Sequence, residues 1–420
     1  MAIVDISRSD AGVMPALLDR YRRVRADTVA LTAPLSAEDQ MIQSMPDTSP
    51  SKWHLAHTTW FFEEFVLANG LPGYQRFDAD FSYLFNSYYN AVGPMHARPQ
   101  RGLLSRPPLT DVHRYREHVD AAMEQLFEAS RDDPATSALI LLGTHHEQQH
   151  QELILTDIKH VLACNPLLPA YTGGEAPASN ARAMRFVEGA EGPVEIGHQG
   201  AGFHYDNEGP RHTVWLHRHA LADRLVTNGE FRAFIDDGGY RTPALWLSEG
   251  WSTVQEQGWT RPYYWSDDLE REFTLHGEQP IDPHRPVCHL SYFEADAFAR
   301  WAGARLPTEA EWETAASAET CPETLWQRDW LHPAPVRDSG DRQFHGQVWE
   351  WTASAYSAYP GYCPAAGAVG EYNGKFMCNQ YVLRGGSCVT PPAHLRTSYR
   401  NFFPTGARWQ FSGLRLARDN

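Results

Sequence analysis

The spacing of apolar residues along the first 165 positions predicts helices. Apolar side chains recur at helical intervals from Met14 to Leu31, Lys52 to Asn69, Thr110 to Ala129 and, over the longest run, Ser137 to Leu162. Four such helices joined by loops indicate a bundle. The stretch from Leu71 to Pro108 lacks this period and is rich in Tyr, Phe, Pro and Arg. A loop of that length inside a compact domain is usually functional, or else contains structure that the pattern does not reveal.

The pattern changes after a segment rich in Pro, Gly and Ala, from Asn165 to Asn180. Beyond it, short apolar runs alternate with turn residues, and helical periodicity persists only from Asn228 to Asp237 and from Phe293 to Ala302. We therefore expect an α+β protein of two domains. The predicted division is a helical domain at 1–165, a linker at 166–184 and a mixed domain at 185–420.

Composition excludes several classes of function. The 36 basic and 52 acidic residues give a net charge of −16, and no basic run is present that would bind a nucleic acid. No apolar run reaches the roughly 18 residues that a membrane helix needs. The N-terminal segment lacks the apolar core of a signal peptide, and the six cysteines are scattered without a CxxC pair. We expect a cytoplasmic protein with reduced thiols.

Two histidines in the longest predicted helix indicate a metal site. His146 and His150 are four residues apart, so their imidazoles lie on one helix face and can bind one ion. The second predicted helix offers His54 and His57 as a third ligand. Three imidazoles suit zinc, iron, copper or nickel. A zinc enzyme would keep one coordination position open and an iron oxygenase three, and the spacing does not choose between them.

Several motifs together resemble a known family. The segments are SPSKWHLAH (Ser49 to His57), HHEQQHQE (His145 to Glu152), RLPTEAEWE (Arg305 to Glu313), VWEWTAS (Val348 to Ser354) and LRGGSC (Leu383 to Cys388). Two further segments with the same resemblance are NSYYNAVG (Asn86 to Gly93) and GEYNGKFM (Gly370 to Met377). Together they resemble the ergothioneine-type sulfoxide synthases, including the close relative selenoneine synthase. The resemblance implies a DinB-like four-helix bundle followed by a formylglycine-generating-enzyme-like, C-type-lectin-like mixed domain.

The resemblance also implies a cofactor and ligands. It assigns His57, His146 and His150 to a single Fe(II), with O2 as co-substrate, and makes His54 and His145 neighbours of the site. The implied reaction forms a C–S or C–Se bond on the imidazole of N-α-trimethylhistidine (hercynine) and gives a sulfoxide or selenoxide. Its small-molecule partners are hercynine and a thiol or selenosugar.

Further residues receive roles from the same resemblance. Gln149 matches a glutamine that holds the trimethylhistidine, and the pair Tyr88 and Tyr89 matches active-site tyrosines. Arg98 and Arg101 match a basic stretch that meets the sulfur or selenium donor. The C-terminal residues expected to close the pocket are Asn401, Phe402, Phe403 and Trp409.

The donor and the reaction class leave alternatives open. The loop around Met95 lacks a basic residue expected of cysteine-using relatives, so cysteine, γ-glutamylcysteine and a selenosugar all remain. A zinc-dependent DinB-type thiol transferase is an alternative that would need no O2. A third hypothesis is a binding module with a vestigial metal site. Formylglycine generation would require a second cysteine after Cys388, and the sequence has none there.

Overall fold

The chain divides into two compact units. The computed structural model describes residues 13–129, 133–174, 182–319, 321, 330–336 and 341–419. Unit 1 comprises Met1–Pro166, Gly200–Asp206 and Cys363–Gly374, and unit 2 comprises Leu167–Gln199, Asn207–Tyr362 and Lys375–Asn420. Part of the predicted linker, 175–181, lies outside the described residues. Unit 1 therefore includes two short segments from the region that the hydrophobic pattern assigns to the mixed domain.

Helices and strands together confirm the predicted α+β class. The helices are α1 (Val13–Thr32), α2 (Ser51–Phe61), α3 (Ala68–Gly70), α4 (Phe81–Leu84), α5 (Leu109–Ala129), α6 (Pro134–Cys164), α7 (Asn228–Asp236), α8 (Ser248–Gln257), α9 (Tyr292–Trp301), α10 (Glu309–Ala316) and α11 (Glu371–Gly374). The strands are β1 (Phe186–Glu188), β2 (Gly192–Ile196), β3 (His212–Leu216), β4 (His219–Ala222), β5 (Arg271–Thr274), β6 (Gly277–Pro280), β7 (Trp349–Ala355), β8 (Gln380–Arg384), β9 (Asn401–Pro404), β10 (Ser412–Gly413) and β11 (Ala417–Asp419).

Unit 1 is built on the four long helices α1, α2, α5 and α6, which confirms the predicted bundle. Helix α6 begins after Asp133, whose carboxylate accepts the backbone N–H groups of Ala135 and Thr136 at 3.1 and 3.2 Å. Pro134 follows in the first turn, where its missing N–H costs nothing. This start places His146 and His150 in the middle of a 31-residue helix, far from fraying ends.

A glycine lets α6 approach the segment that follows α2. A Cβ atom at Gly143 would lie 2.5 Å from a ring carbon of Phe62, closer than real Cβ contacts allow. Phe62 begins a wider, π-helical turn, Phe62–Leu67, that continues α2. Such turns are rare in helices and frequent at functional sites. Phe61 and Phe62 are fully buried, so this contact lies in the core of unit 1.

The described residues of unit 2 form four small sheets. One has three antiparallel strands in the order β1-β4-β11, and another has four strands in the order β10-β7-β8-β9. In the larger sheet only the β10–β7 pair is parallel. Strands β2 and β3 form one hairpin, and β5 and β6 form a second. Short strands with much irregular chain between them agree with the predicted mixed architecture.

The acidic residues of RLPTEAEWE have structural roles in unit 2. Glu311 and Thr308 form a capping box at the start of α10. Glu309 accepts two hydrogen bonds from the buried Arg400 at 2.9 and 3.0 Å, and Glu313 pairs with the buried Arg384. Buried guanidinium groups need such partners because an uncompensated buried charge is strongly destabilising. The acidic residues of this motif therefore stabilise the fold of unit 2.

No helix among the described residues is both long and apolar enough to cross a bilayer.

Candidate metal centre and adjoining pocket

Three buried histidines from α2 and α6 converge in unit 1. The ring centroids of His146 and His150 are 4.6 Å apart, and that of His57 lies 5.0 and 4.8 Å from them. One ligand nitrogen from each ring lies within 4.8 Å of the other two. The structure thus brings together the three predicted ligands and forms a group that could hold one ion.

Hydrogen bonds determine which ring nitrogen of His57 and of His150 is available to bind a metal ion. His57 Nδ1 lies 2.6 Å from the carbonyl oxygen of Phe85. Because a carbonyl only accepts, this nitrogen carries the proton and Nε2 keeps its lone pair for a metal. The backbone thereby selects the metal-binding tautomer of His57.

A relay of side chains selects the tautomer of His150. Asp157 Oδ2 lies 3.0 Å from His54 Nε2 and also accepts the Ser49 backbone N–H at 2.8 Å. His54 Nδ1 lies 2.7 Å from His150 Nδ1. If His54 donates to the carboxylate as a neutral ring, its Nδ1 accepts a hydrogen bond from His150 Nδ1–H. The Nε2 atom of His150 is then free to bind a metal, and His54 orients a ligand rather than being one.

Burial keeps all three imidazoles in the neutral form that metals bind. It lowers the pKa of His146 to about 4 and holds the pKa values of His57 and His150 well below their usual range. For His57 and His150 the neighbouring His146 lowers the pKa further. At neutral pH no proton has to leave these rings before a cation enters.

The residues fit a transition-metal ion. Within the described part of the chain, the buried His146 Nδ1 has no hydrogen-bond partner, although buried polar atoms normally have one. Three neutral imidazoles are a donor set for iron, zinc, copper or nickel. His57, His146 and His150 would therefore hold the metal, with further positions open to small molecules.

The loop with the two predicted tyrosines folds against this centre. Tyr88 adopts a left-handed backbone conformation with φ of 66°, which is strained for a tyrosine. The side-chain amide of Asn86 donates to the carbonyls of Tyr89 and Gly93, both at 3.1 Å. The Tyr88 N–H points to Met95 Sδ at 3.3 Å. Strain held by dedicated hydrogen bonds is typical of functional loops.

The predicted donor-binding arginines brace the same loop. Arg98 Nη1 donates to the Tyr88 hydroxyl, while Arg101 donates to Ser49 Oγ at 2.9 Å and Ser87 Oγ at 2.8 Å. Neither guanidinium has a carboxylate partner among the described residues. Burial, and then the charge of Arg98, lowers the pKa of Arg101 to about 9. A half-buried cation, Arg98, and a buried one, Arg101, that form no ion pair with a carboxylate among the described residues favour a ligand with acceptor or anionic groups.

A ring system connects these arginines to the histidines. The Arg101 guanidinium carbon lies 3.4 Å from the centroid of Trp53. Trp53 in turn stacks on His57, with centroids 4.5 Å apart and planes 13° apart. Arg101 is thus one aromatic ring away from the histidine centre.

A pocket opens beside His146. His146 and the predicted Gln149 line it from α6, one turn apart along the helix. Phe61 and Tyr89 supply aromatic rings to the same pocket. Burial raises the pKa of Tyr89 well above its usual range, so its phenol stays protonated at neutral pH. The pocket therefore offers an amide, a phenol and aromatic faces next to the metal ligands.

Two distant segments supply the rest of the pocket wall. Tyr205 and Asp206 come from Gly200–Asp206, and Tyr372 and Asn373 come from α11. Asn373 Nδ2 donates to Asp206 Oδ1 at 2.6 Å. Burial, followed by the neighbouring Tyr88, raises the pKa of Tyr372 to about 12.

Sequence reasoning missed these wall residues. GEYNGKFM was recognisable as a family motif and contains Tyr372 and Asn373, but nothing in it assigned them to the pocket. No motif or spacing in the sequence indicated that Tyr205 and Asp206 would line a pocket. Glu371, which precedes Tyr372 in the same motif, accepts the backbone N–H groups of Asn90 and Ala91 at 3.0 and 2.9 Å and so fixes the tyrosine loop.

The predicted C-terminal residues lie in unit 2. Asn401, Phe402 and Phe403 belong to β9, the edge strand of the four-stranded sheet. Phe402 stacks on Tyr356 at 4.1 Å, and Phe403 meets Trp409 edge to face at 5.8 Å. Each therefore has a packing role inside unit 2, and their role in substrate binding stays a prediction.

Comparison with known proteins identifies both parts of the chain. Residues 20–154 match the DinB superfamily, and residues 172–334 and 334–420 match the sulfatase-modifying factor enzyme 1-like domain. The hercynine oxygenase of Mycolicibacterium smegmatis is 33% identical over 410 residues, which cover 90% of this chain and 92% of that protein. The hercynine oxygenase of Mycobacterium tuberculosis is 34% identical over 434 residues, covering 94% and 97%.

A third relative matches a smaller part of the chain. The formylglycine-generating enzyme of Streptomyces coelicolor is 30% identical over 297 residues, which cover 57% of this chain and 88% of that protein. The similarity to the two oxygenases therefore extends much further along the chain.

Proposed function

Because this chain belongs to the family of hercynine oxygenases, we propose that it is an Fe(II)- and O2-dependent synthase acting on N-α-trimethylhistidine. The reaction forms a C–S or C–Se bond on the substrate imidazole and oxygenates the chalcogen. The observation that carries the proposal is the buried triad of His57, His146 and His150, with His146 shared by an aromatic pocket. When bound, iron supplies a common attachment point that holds both substrates in near-attack geometry with O2.

The pocket has the chemistry to recognise a trimethylammonium group. Such a cation has no N–H to donate, so it binds through aromatic faces and a nearby negative charge. Phe61, Tyr89 and Tyr205 provide the faces, and Asp206 provides the charge. The hydrogen bond from Asn373 holds the Asp206 carboxylate in position. Gln149 donates to or accepts from the polar groups of the substrate.

The tyrosines of the pocket supply a proton or hydrogen atom. Tyr89 and Tyr372 both line the pocket, and burial keeps their phenols protonated. A neutral phenol can give up a proton or hydrogen atom to a reacting group without first adding charge to the site. Tyr88 instead accepts a hydrogen bond from Arg98, which suits it to positioning the loop.

The chalcogen donor is proposed to bind on the Arg98 and Arg101 side. Their N–H groups pair with a carboxylate if the donor is cysteine or γ-glutamylcysteine. The same N–H groups donate to hydroxyl oxygens if the donor is a selenosugar. The methionine next to Tyr88, Met95, leaves that part of the loop uncharged.

The deciding experiment is turnover with defined donors. Protein loaded anaerobically with Fe(II) receives trimethylhistidine and O2, with cysteine, γ-glutamylcysteine or selenoglucose in separate reactions, and mass spectrometry identifies the adducts. An adduct with O2 consumption supports the synthase, and the preferred donor assigns the branch. His146→Ala should abolish product, whereas the matched control His113→Ala, a half-buried histidine of α5, should retain it. Turnover by zinc-loaded protein without O2 would instead establish the thiol transferase.

A further inference from the structure

Unit 2 contains a second buried cluster of metal-ligand side chains. Of the described residues, two groups of three could hold an ion: the histidine triad, and Glu272, Cys288 and His332. The ligand atoms of the second group lie within 4.8 Å of one another, and all three side chains are buried. His332 Nε2 lies 3.2 Å from Glu272 Oε1. This second cluster belongs to unit 2, whereas the histidine triad belongs to unit 1.

The three segments that carry these side chains are held in place independently. Glu272 lies in β5 and is paired in register with Gln279 of β6. Beside Cys288, the Val287 N–H donates to the Val226 carbonyl at 3.0 Å. Donors presented from fixed backbone lose little entropy when an ion binds.

The segment before His332 is anchored by another histidine. The Leu331 N–H donates to His276 Nε2 at 3.1 Å, and Trp330 stacks on the His276 ring at 4.8 Å. These two contacts fix the backbone on which His332 follows. The position of its imidazole beside Glu272 is therefore not a consequence of the Glu272 contact alone.

We propose that Glu272, Cys288 and His332 form a second metal site that takes a thiophilic divalent cation, with zinc as the best match. Thiolate, imidazole and carboxylate are the three ligand types that zinc prefers in proteins. Zinc bond lengths of about 2.0–2.3 Å require donor atoms to be roughly 3.3–3.8 Å apart, which small side-chain rotations provide. A water molecule completes a tetrahedral site.

The charges balance when such an ion binds. A divalent cation is neutralised by the Cys288 thiolate and the Glu272 carboxylate, while His332 stays neutral. Arg285, whose charge also interacts with Glu272, forms an ion pair with Asp282 at 3.4 Å, and its guanidinium carbon lies 4.5 Å from the centroid of the Trp330 ring. Neutralisation within the ligand set avoids the large cost of an uncompensated buried charge.

The proposed ion would act as a cross-link in unit 2. It ties β5, the segment before α9 and the segment at 330–336, which are far apart in the sequence. Metal binding energy of this kind contributes directly to folding stability because the unfolded chain has no preformed site.

Cobalt(II) substitution tests the proposal on the full chain. A thiolate ligand gives a sulfur-to-cobalt charge-transfer absorption that imidazole ligands do not give. We expect about two equivalents of cobalt in the unaltered protein, together with this absorption. Cys288→Ser should remove the absorption and one equivalent, whereas the exposed Cys363→Ser should keep both. His150→Ala should remove the other equivalent and leave the absorption unchanged, so the two sites are measured separately.

The cobalt measurement can also contradict the second metal site. A single equivalent that His150→Ala abolishes, with no thiolate absorption, means that Glu272 and His332 are simply a buried hydrogen-bonded pair beside a thiol. If Cys288→Ser does not fold, His332→Gln provides the second variant. Loss of the thiolate absorption in that variant supports the site, and its retention at full intensity contradicts it.

Discussion

The side chain of His54 contacts His150, a proposed metal ligand, and the carboxylate of Asp157 at once, so it is placed to orient that imidazole without binding the metal itself. It lies between Asp157 and His150, at 3.0 and 2.7 Å. The sequence predicted the triad because HxxxH on a helix has a geometric meaning. It left His54 and His57 as equal candidates until the resemblance chose His57. The hydrogen bonds of the folded chain give a physical reason for choosing His57: both ring nitrogens of His54 are engaged by His150 and Asp157, whereas His57 keeps one nitrogen available.

Replacing His54 should weaken metal binding without abolishing it. In His54→Ala the Nδ1 of His150 loses its partner, and the ring is free to rotate or change tautomer. Loss of such a supporting partner typically lowers metal affinity about 10–100-fold. Competition with a chelator of known Fe(II) affinity measures the change. Equal affinity in His54→Ala and the control His113→Ala would contradict the proposed relay.

Removing the Tyr89 hydroxyl should slow turnover while sparing the metal. Tyr89→Phe keeps the ring that contacts Trp60 and Phe65 but removes the proton, so we expect a roughly 10²–10⁴-fold lower kcat. The partly exposed Tyr83→Phe is the matched control and should have normal kcat. If Tyr89→Phe keeps full activity and Tyr372→Phe does not, Tyr372 is the donor.

Between elements, a close contact joins α6 to the π-helical turn that follows α2. The hydrophobic period predicted the four long helices to within a few residues because their buried faces repeat at the helical interval. It did not predict the close approach at Gly143, which depends on Phe62 from another helix. The hydrophobic period shows which face of a helix is buried, but it does not show which other element packs against that face.

Gly143→Ala should reveal how tightly α6 and the α2 segment are packed. Alanine gains roughly 1 kcal/mol of helix propensity over glycine. Its Cβ would overlap Phe62, and overpacking of a core costs about 1–3 kcal/mol. We expect net destabilisation in chemical denaturation and weaker Fe(II) binding. Ala135→Gly, at an exposed position in the first turn of α6, is the control for helix propensity alone.

A buried charge network beside the ligands makes the bundle sensitive to acid. Glu147, next to His146, accepts from Arg116 at 2.9 Å and Arg25 at 3.0 Å. Burial raises the pKa of Glu147, but the two arginines outweigh it and lower the pKa from 4.5 to about 2. Because the folded pKa is the lower one, this carboxylate stabilises the fold above pH 4.5 and loses that contribution as the pH falls toward 2.

Glu147→Gln should therefore change both stability and its pH dependence. It leaves two buried guanidinium groups without a full counter-charge, which costs about 3–5 kcal/mol. Its unfolding free energy should also vary less between pH 4.5 and 2 than that of the unaltered chain. Urea denaturation across this range measures both effects. An unchanged pH slope would mean that the acid response comes from other carboxylates.

On the scale of the whole molecule, the pocket depends on contacts between residues far apart in the chain. Sequence reasoning predicted the three histidines that converge and the pocket residues Gln149 and Tyr89, which all belong to motifs within the first 150 residues. It missed Asp206 and Asn373 because their meeting with α6 depends on tertiary folding. A local pattern of polarity contains no information about such pairings.

Neutralising Asp206 should weaken binding of the quaternary ammonium substrate. A charged contact of this kind contributes about 1.5–3 kcal/mol, so Asp206→Asn should raise the KM for trimethylhistidine about 10–100-fold. Fe(II) affinity should stay unchanged, and the exposed Asp80→Asn should behave as the unaltered enzyme. An unchanged KM in Asp206→Asn would place the trimethylammonium group elsewhere.

The discontinuous make-up of unit 1 has a consequence for its synthesis on the ribosome. Residues up to Pro166 emerge first, and chain segments usually begin to fold in the order in which they emerge. The last segment of the unit ends at Gly374, and it contains the carboxylate of Glu371 that fixes the tyrosine loop. During translation the triad can therefore form long before the pocket wall arrives. A nascent chain would pass through a stage in which it can capture a metal but cannot yet enclose a substrate.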